Sequence, residues 1–180
     1  MPTEISGSTG VNKIQDNTIV NADINSSAAI AGSKLVMPAG SIIQVVHATD
    51  IVATAVASTS YTDIGLSASI TPQTNSKVLI IADLQTHLAS GNYGYWVQLM
   101  RDSTVASSNV ATDPSVSYYD ANGSTDVRQQ STFTFLDSSV GGNGSTSKTY
   151  KIQAKTVAGR SVAFSASESP AMITLMEIAG

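Results

Sequence analysis

Carboxylates are the reactive groups this sequence has most of, thirteen Asp and Glu against nine Lys and Arg and two His. Glycoside hydrolysis would need two of them facing each other across a cleft. Asp50, Asp63, Asp83, Asp102, Asp113, Asp120, Asp126 and Asp137 stand singly instead, in stretches that read as turns. His47 and His87 lie far apart, and neither has the close company of ligands that a metal centre requires. There is no G-x-S-x-G elbow to present a nucleophilic serine and no glycine-rich phosphate loop ending in Lys-Ser or Lys-Thr. The expectation is a chain that is not an enzyme, with no cofactor and no metal.

Recognition is better provided for. Tyr93, Tyr95 and Trp96 fall in one segment, and Tyr118 and Tyr119 sit among Asp113, Asp120 and Asn122. Sugars are held by flat aromatic surface together with amide and hydroxyl hydrogen bonds. On a strand Tyr93 and Tyr95 would share one face and Trp96 the other, so one set belongs to core or subunit packing. Tyr118, Tyr119 and Asn122 are therefore the candidate ligand-binding residues. The run DANGSTD (Asp120 to Asp126) alternates oxygen ligands around Gly123, as calcium prefers, but lacks the bidentate Glu of an EF-hand. Asp-Asn-Gly is first a turn signature.

The elements that must position these groups are strands. After Met37-Pro38-Ala39-Gly40, short β-like runs follow one another between Gly, Pro, Asn, Asp and Ser. They are 41–47, 61–64 and 66–71 flanking Gly65, 77–88, 93–101, 105–110, 129–136, 148–156, 161–166 and 172–178. In 77–88, Val78, Ile80, Ala82 and Leu84 alternate on one face while Leu79 and Ile81 fill the other, the pattern of a central strand. Residues 113–126 read as a long polar loop, and Gly141-Gly142-Asn143-Gly144 as another. The last run is apolar enough to be a buried central strand. Eight to ten strands without a helix predict an all-β fold, an antiparallel β-sandwich that is jelly-roll-like, over 39–180.

Residues 1–38 differ. Ile14, Ile19, Ile24, Ile30 and Leu35 recur every five or six positions, a spacing that fits neither helix nor strand. So sparse an apolar comb cannot bury itself within one chain. A three-stranded stalk, in which each tooth meets its symmetry mates, explains it; a short β-solenoid and a plain extended linker are the alternatives. These five residues are the expected trimer contacts, and a homotrimer is the expected assembly.

Composition narrows the partners. Only 12% of residues are charged, the net charge is −4 and no Lys/Arg cluster exists, which speaks against nucleic acid. No apolar stretch approaches the ~18 residues of a membrane span. The absence of Cys removes disulfides and thiolate metal sites. MPTEISGSTG lacks the basic and apolar regions of a signal peptide, so export by a classical leader is not expected.

The string DNTIVNADINSSAAIAGSKL resembles linker segments in virion structural proteins of tailed bacteriophages, particularly phages of aquatic bacteria. GSIIQVV and YTDIGLSASITPQTNSKVLI look like the start of a C-terminal β domain common among them, so the resemblance spans roughly residues 11–82. It implies localisation in the virion and a trimeric short fibre or spike. The N-terminal arm would bind other virion proteins, coat or tail, and the head a host-surface glycan or receptor. A capsid decoration or cement protein is the alternative, and a cellular trimeric jelly roll of the tumour-necrosis-factor or C1q type is a third.

Overall fold

Alternation of apolar and polar residues dictates strands, because successive side chains point to opposite faces. The computed structural model describes Asn25, Ser27 and residues 36–88, 93–108, 116–118, 127–157, 160–165 and 170–180. The strands are β1 (Ile42–Asp50), β2 (Thr54–Val56), β3 (Thr62–Ile70), β4 (Lys77–Leu88), β5 (Tyr93–Arg101) and β6 (Thr104–Ser108). They continue with β7 (Val116–Tyr118), β8 (Val127–Asp137), β9 (Lys148–Thr156), β10 (Val162–Phe164) and β11 (Ala171–Ile178). Met37–Gly180 forms one compact unit.

All pairings are antiparallel and make two sheets. In the first, β4 pairs with β8 along one edge, and with β11 and then β10 along the other. β1 covers the far edge of β11, and β2 that of β10. In the second, β9 lies between β3 and β5, and the free edge of β5 takes β7 at Tyr93–Tyr95 and β6 at Gln98–Arg101. Four strand positions per sheet, several made of two collinear pieces, give an antiparallel β-sandwich.

The inner faces meet in one core. Val78, Ile80, Ala82 and Leu84 of β4 pack with residues of β3, β5, β9, β10 and β11, including Ile64, Leu66, Tyr150, Phe164 and Leu175. Burying each large apolar side chain contributes about 1.5–3 kcal/mol. Tyr95 is fully buried, its ring edge-on to Phe164 with centroids 5.2 Å apart. Its hydroxyl lies 3.4 Å from Ser131 Oγ, and burial raises its pKa. Trp96 points the other way and stays half-exposed, as the strand period requires. β11 is central, between β1 and β4, as its apolar sequence predicts.

Four details differ from the expectations. The runs flanking Gly65 are one strand, because extra residues between Asp63 and Ser67 are absorbed as a bulge against β9. Gly65 supplies the required φ of +92°, and a Cβ there would stand 2.8 Å from Asp50 Oδ2. Residues 113–126 are not loop throughout, since Val116–Tyr118 satisfies backbone groups on the free edge of β5. Thr54–Val56 is a further strand, too short to show a period in the sequence. Asp50, Asp63, Asp83 and Asp137 lie in strands rather than turns.

Candidate functional site

The two sheets present different surfaces outward, and the β3–β9–β5 face concentrates the recognition chemistry. Its rows are set by register: Trp96 opposite Lys155, Gln98 opposite Gln153 and Met100 opposite Lys151 between β5 and β9. Asp63 stands opposite Gln153, and Ser67 opposite Lys151, between β3 and β9. Tyr61 precedes β3 and completes the first row.

In that row the Lys155 ammonium lies 4.8 Å from the centroid of the Tyr61 ring and 4.8 Å from that of Trp96. Both aromatic faces attract it electrostatically. The next row is a hydrogen-bonded relay. Gln98 Nε2 donates to Gln153 Oε1 at 2.7 Å, and Gln153 Nε2 donates to Asp63 Oδ1 at 2.6 Å. Lys151 Nζ donates to Asp63 Oδ2 at 2.8 Å. The hydrogen bonds from Lys151 and then Gln153 hold the Asp63 carboxyl below its usual range. Burial raises the Tyr61 phenol. Aromatic surface, amides, a carboxylate and an ammonium thus share one rigid sheet face.

The outer face of the β1–β11–β4–β8 sheet is apolar at one end and polar along the rest. Val45, Met176, Leu79 and Leu136 stand opposite one another in a row across all four strands. Val45 is 55% exposed and Leu136 45%. Ile42 and Ile43 on the edge strand are also exposed, so the apolar surface gathers at one end of this sheet. Polar contacts here include His47 Nδ1 with Thr174 Oγ1 at 3.0 Å, and a hydrogen bond from the Thr132 hydroxyl to Asp83.

Between the sheets lies a polar knot. Asp137 of β8 is 3% exposed. Its Oδ2 accepts from Arg101 Nη1 of β5 at 2.5 Å and from the Tyr150 hydroxyl of β9 at 2.9 Å. Its Oδ1 accepts from the Ser139 backbone N–H at 3.0 Å, and Arg101 also donates to the Ser139 carbonyl at 2.9 Å. Burial pushes the Asp137 carboxyl up, but the bonds from Ser139, Tyr150 and Arg101 outweigh it and leave the pKa lowered. Burial and the neighbouring carboxylate raise the Tyr150 phenol strongly. These bonds tie β5, β8 and β9 together, so the knot joins the sheets. Buried Glu177 likewise serves the fold, accepting the Gln73 N–H at 2.6 Å beside the β3–β4 turn.

A cleft of about 330 Å³ also lies between the sheets, lined by Ile80, Ala82, Val97, Leu99, Phe133 and Phe135 among others. It leaves the two Phe rings of edge strand β8 half-buried. Among the described residues no group of three or more His, Asp or Glu could hold a metal ion.

Tyr118 lies at the end of β7, its backbone opposite Tyr93. Tyr119, Asn122 and the Asp120–Asp126 run lie outside the described residues, as do the expected stalk contacts Ile14, Ile19, Ile24, Ile30 and Leu35. Tyr61, Lys155, Gln153 and Gln98 were not singled out in the sequence, and Asp63 was read there only as a scattered turn carboxylate. Alternation in Lys148–Thr156 marks Lys151, Gln153 and Lys155 as sharing a face, but which strands flank that face is a matter of topology. No protein-family model and no curated protein matches the chain.

Proposed function

We propose that this chain is a non-enzymatic virion structural protein of a tailed bacteriophage. In this proposal it is a trimeric short fibre or spike, attached by its N-terminal arm, whose head is a jelly roll that binds the host surface. The strand order supports the jelly roll. With collinear pieces merged, chain order 1 to 8 gives 1-8-3-6 in one sheet and 2-7-4-5 in the other, the pattern of two interleaved Greek keys. The observation that carries host attachment is the Tyr61–Lys155–Trp96 row beside the Gln98–Gln153–Asp63 relay. It combines flat aromatic area with fixed hydrogen-bonding groups, the chemistry that holds sugars.

The test is cell binding by the fluorescently labelled full chain across a panel of aquatic bacterial strains. Wild type should decorate some strains, and Tyr61→Ala/Trp96→Ala should lose that signal while keeping its circular dichroism spectrum. Binding to no strain, or unchanged binding by the folded double variant, would sink attachment through this face.

The apolar row of Val45, Met176, Leu79 and Leu136, exposed at its two ends, favours a second reading, a capsid decoration protein packed against neighbouring subunits. Cryo-EM of particles with and without the chain separates the two. Difference density on the capsid lattice would mean decoration, and density at the tail would mean attachment.

A further inference from the structure

We propose that the β3–β9–β5 face takes an anionic saccharide, with Lys155 binding its carboxylate or phosphate between Tyr61 and Trp96; this rests on the attachment reading above. The other cations of β5 and β9 are neutralised in place. Lys151 is bonded to Asp63, Lys148 stands 3.8 Å from Asp102, and Arg101 is spent on Asp137. Lys155 has aromatic neighbours and, among the described residues, no carboxylate within ion-pair distance.

Two π-faces hold an ammonium in position without cancelling its charge. They leave Nζ donors for a ligand anion, to which a charge-assisted hydrogen bond is short and strong. The net charge of −4 works against generic attraction of polyanions, so capture depends on this one placed cation. One row further on, about 7 Å away by the strand rise, the Gln98 and Gln153 amides are placed for the hydroxyls of the same or the next sugar. The ring edges of Tyr61 and Trp96 provide apolar area for a pyranose. Together these features describe a sugar with a negative charge at one end of the row.

The experiment uses the full chain and immobilised polymers: polygalacturonate for carboxylates, phosphomannan for phosphates, and dextran and galactan as neutral controls. Biolayer interferometry should give binding to one or both polyanions that weakens with salt. Lys155→Gln should lose roughly tenfold or more in affinity, the scale of one charge-assisted hydrogen bond, while Lys155→Arg stays within about threefold. Lys77→Gln, on the other sheet, should bind as wild type does. Polygalacturonate alone would name the carboxylate and phosphomannan alone the phosphate. Equal loss in Lys77→Gln and Lys155→Gln would mean diffuse attraction and overturn the proposal. Preferential capture by dextran or galactan, insensitive to Lys155→Gln, would overturn the anionic ligand while leaving attachment intact. Binding to no polymer would overturn the anionic saccharide outright, and the cell panel then decides attachment separately.

Discussion

The outer face of the β3–β9–β5 sheet and that of the β1–β11–β4–β8 sheet share one core and one strand geometry, yet they are opposite in chemistry. The first is tied by side-chain bonds, with Gln98, Gln153, Asp63 and Lys151 in one relay and Lys155 between two rings. The second carries an apolar row from Val45 to Leu136. A soluble sandwich needs apolar residues on the inner faces alone. Outward apolar residues in register across four strands therefore suit protein packing, whereas bonded polar groups around aromatics suit a wet ligand such as a sugar. The contrast is sharpest at the end of the second sheet where the Val45–Leu136 row lies.

Both faces depend on the knot that joins the sheets, so its loss should have the largest effect. Asp137→Ala removes the acceptor of Arg101, Tyr150 and the Ser139 N–H, and leaves a partly buried guanidinium without its partner. Breaking a buried ion pair from one side costs about 3–5 kcal/mol. Urea unfolding should show that loss with an unchanged slope, and both faces should go together in one transition. A loss under 1 kcal/mol would mean that the sheets hold without the knot.

The same knot helps to set the pH range of the fold, together with Asp63 on the acid side and Tyr61 and Tyr95 on the alkaline side. The Asp137 carboxyl is lowered from its ordinary 3.8, so its contribution is complete above that value and is lost as pH falls through the folded pKa. The Tyr150 phenol is raised from its ordinary 10.0, so its contribution is complete below that value and is lost as pH climbs above it. Stability measured by urea midpoints should therefore be flat between about pH 5 and pH 9 and fall on both sides. Tyr150→Phe should make the alkaline limb shallower, leaving the part due to Tyr61 and Tyr95, at a cost of about 1 kcal/mol for the lost hydrogen bond. An alkaline limb unchanged in Tyr150→Phe would assign it to another group.

How far the sequence reveals this comparison depends on which link is asked for. Strand periods were plain where strands are long: Lys77–Leu88, Tyr93–Arg101 and Lys148–Thr156 have the bounds that alternation predicts. Thr54–Val56 and Val116–Tyr118 are too short for a period, and pairing with established strands decides them. That Trp96 and Tyr95 face opposite ways was legible, but which of them points outward was not. The companions of Trp96 were not legible either, because Tyr61 and Lys155 are remote in sequence and only the order β3–β9–β5 brings them together. Asp137 looked like one more turn carboxylate, since nothing local announces that Arg101 and Tyr150 converge on it. Local pattern gives a residue its face, and the strand order gives it its neighbours.

Gly65 tests whether the sugar-suited face can be broken alone. Its bulge sets the register by which Asp63 meets Gln153, and its φ of +92° is strained for any side chain. Gly65→Ala adds that strain to a Cβ 2.8 Å from Asp50 Oδ2, for a cost of about 1–3 kcal/mol. Gly141→Ala, at φ +64° with open space around it, should cost about 1 kcal/mol. The folded Gly65→Ala protein should also lose polymer capture, while the apolar row on the other sheet keeps its behaviour. Equal costs for the two variants would show that Asp50 gives way easily.

The smallest effect on stability, and the sharpest test of the apolar face, comes from Val45→Lys/Leu136→Lys. Both side chains are about half-exposed at the two ends of the row, so long charged replacements reach water without opening the core. Surface changes of this kind usually stay within about 0.5 kcal/mol, and the unfolding midpoint should hardly move. Assembly is where the change should register. In the proposed trimeric virion protein, contacts between heads or with coat subunits would bury this row, and two lysines per chain would have to be desolvated there. Sedimentation velocity over a concentration series should then show weaker association for the double lysine variant, with Trp96→Ala as the control that leaves association unchanged. Should the lysine variant assemble as wild type does, the row is no interface, and association would have to come from other parts of the chain. Should Trp96→Ala weaken assembly instead, the roles of the two faces are reversed, and the aromatic row is packing rather than a sugar site.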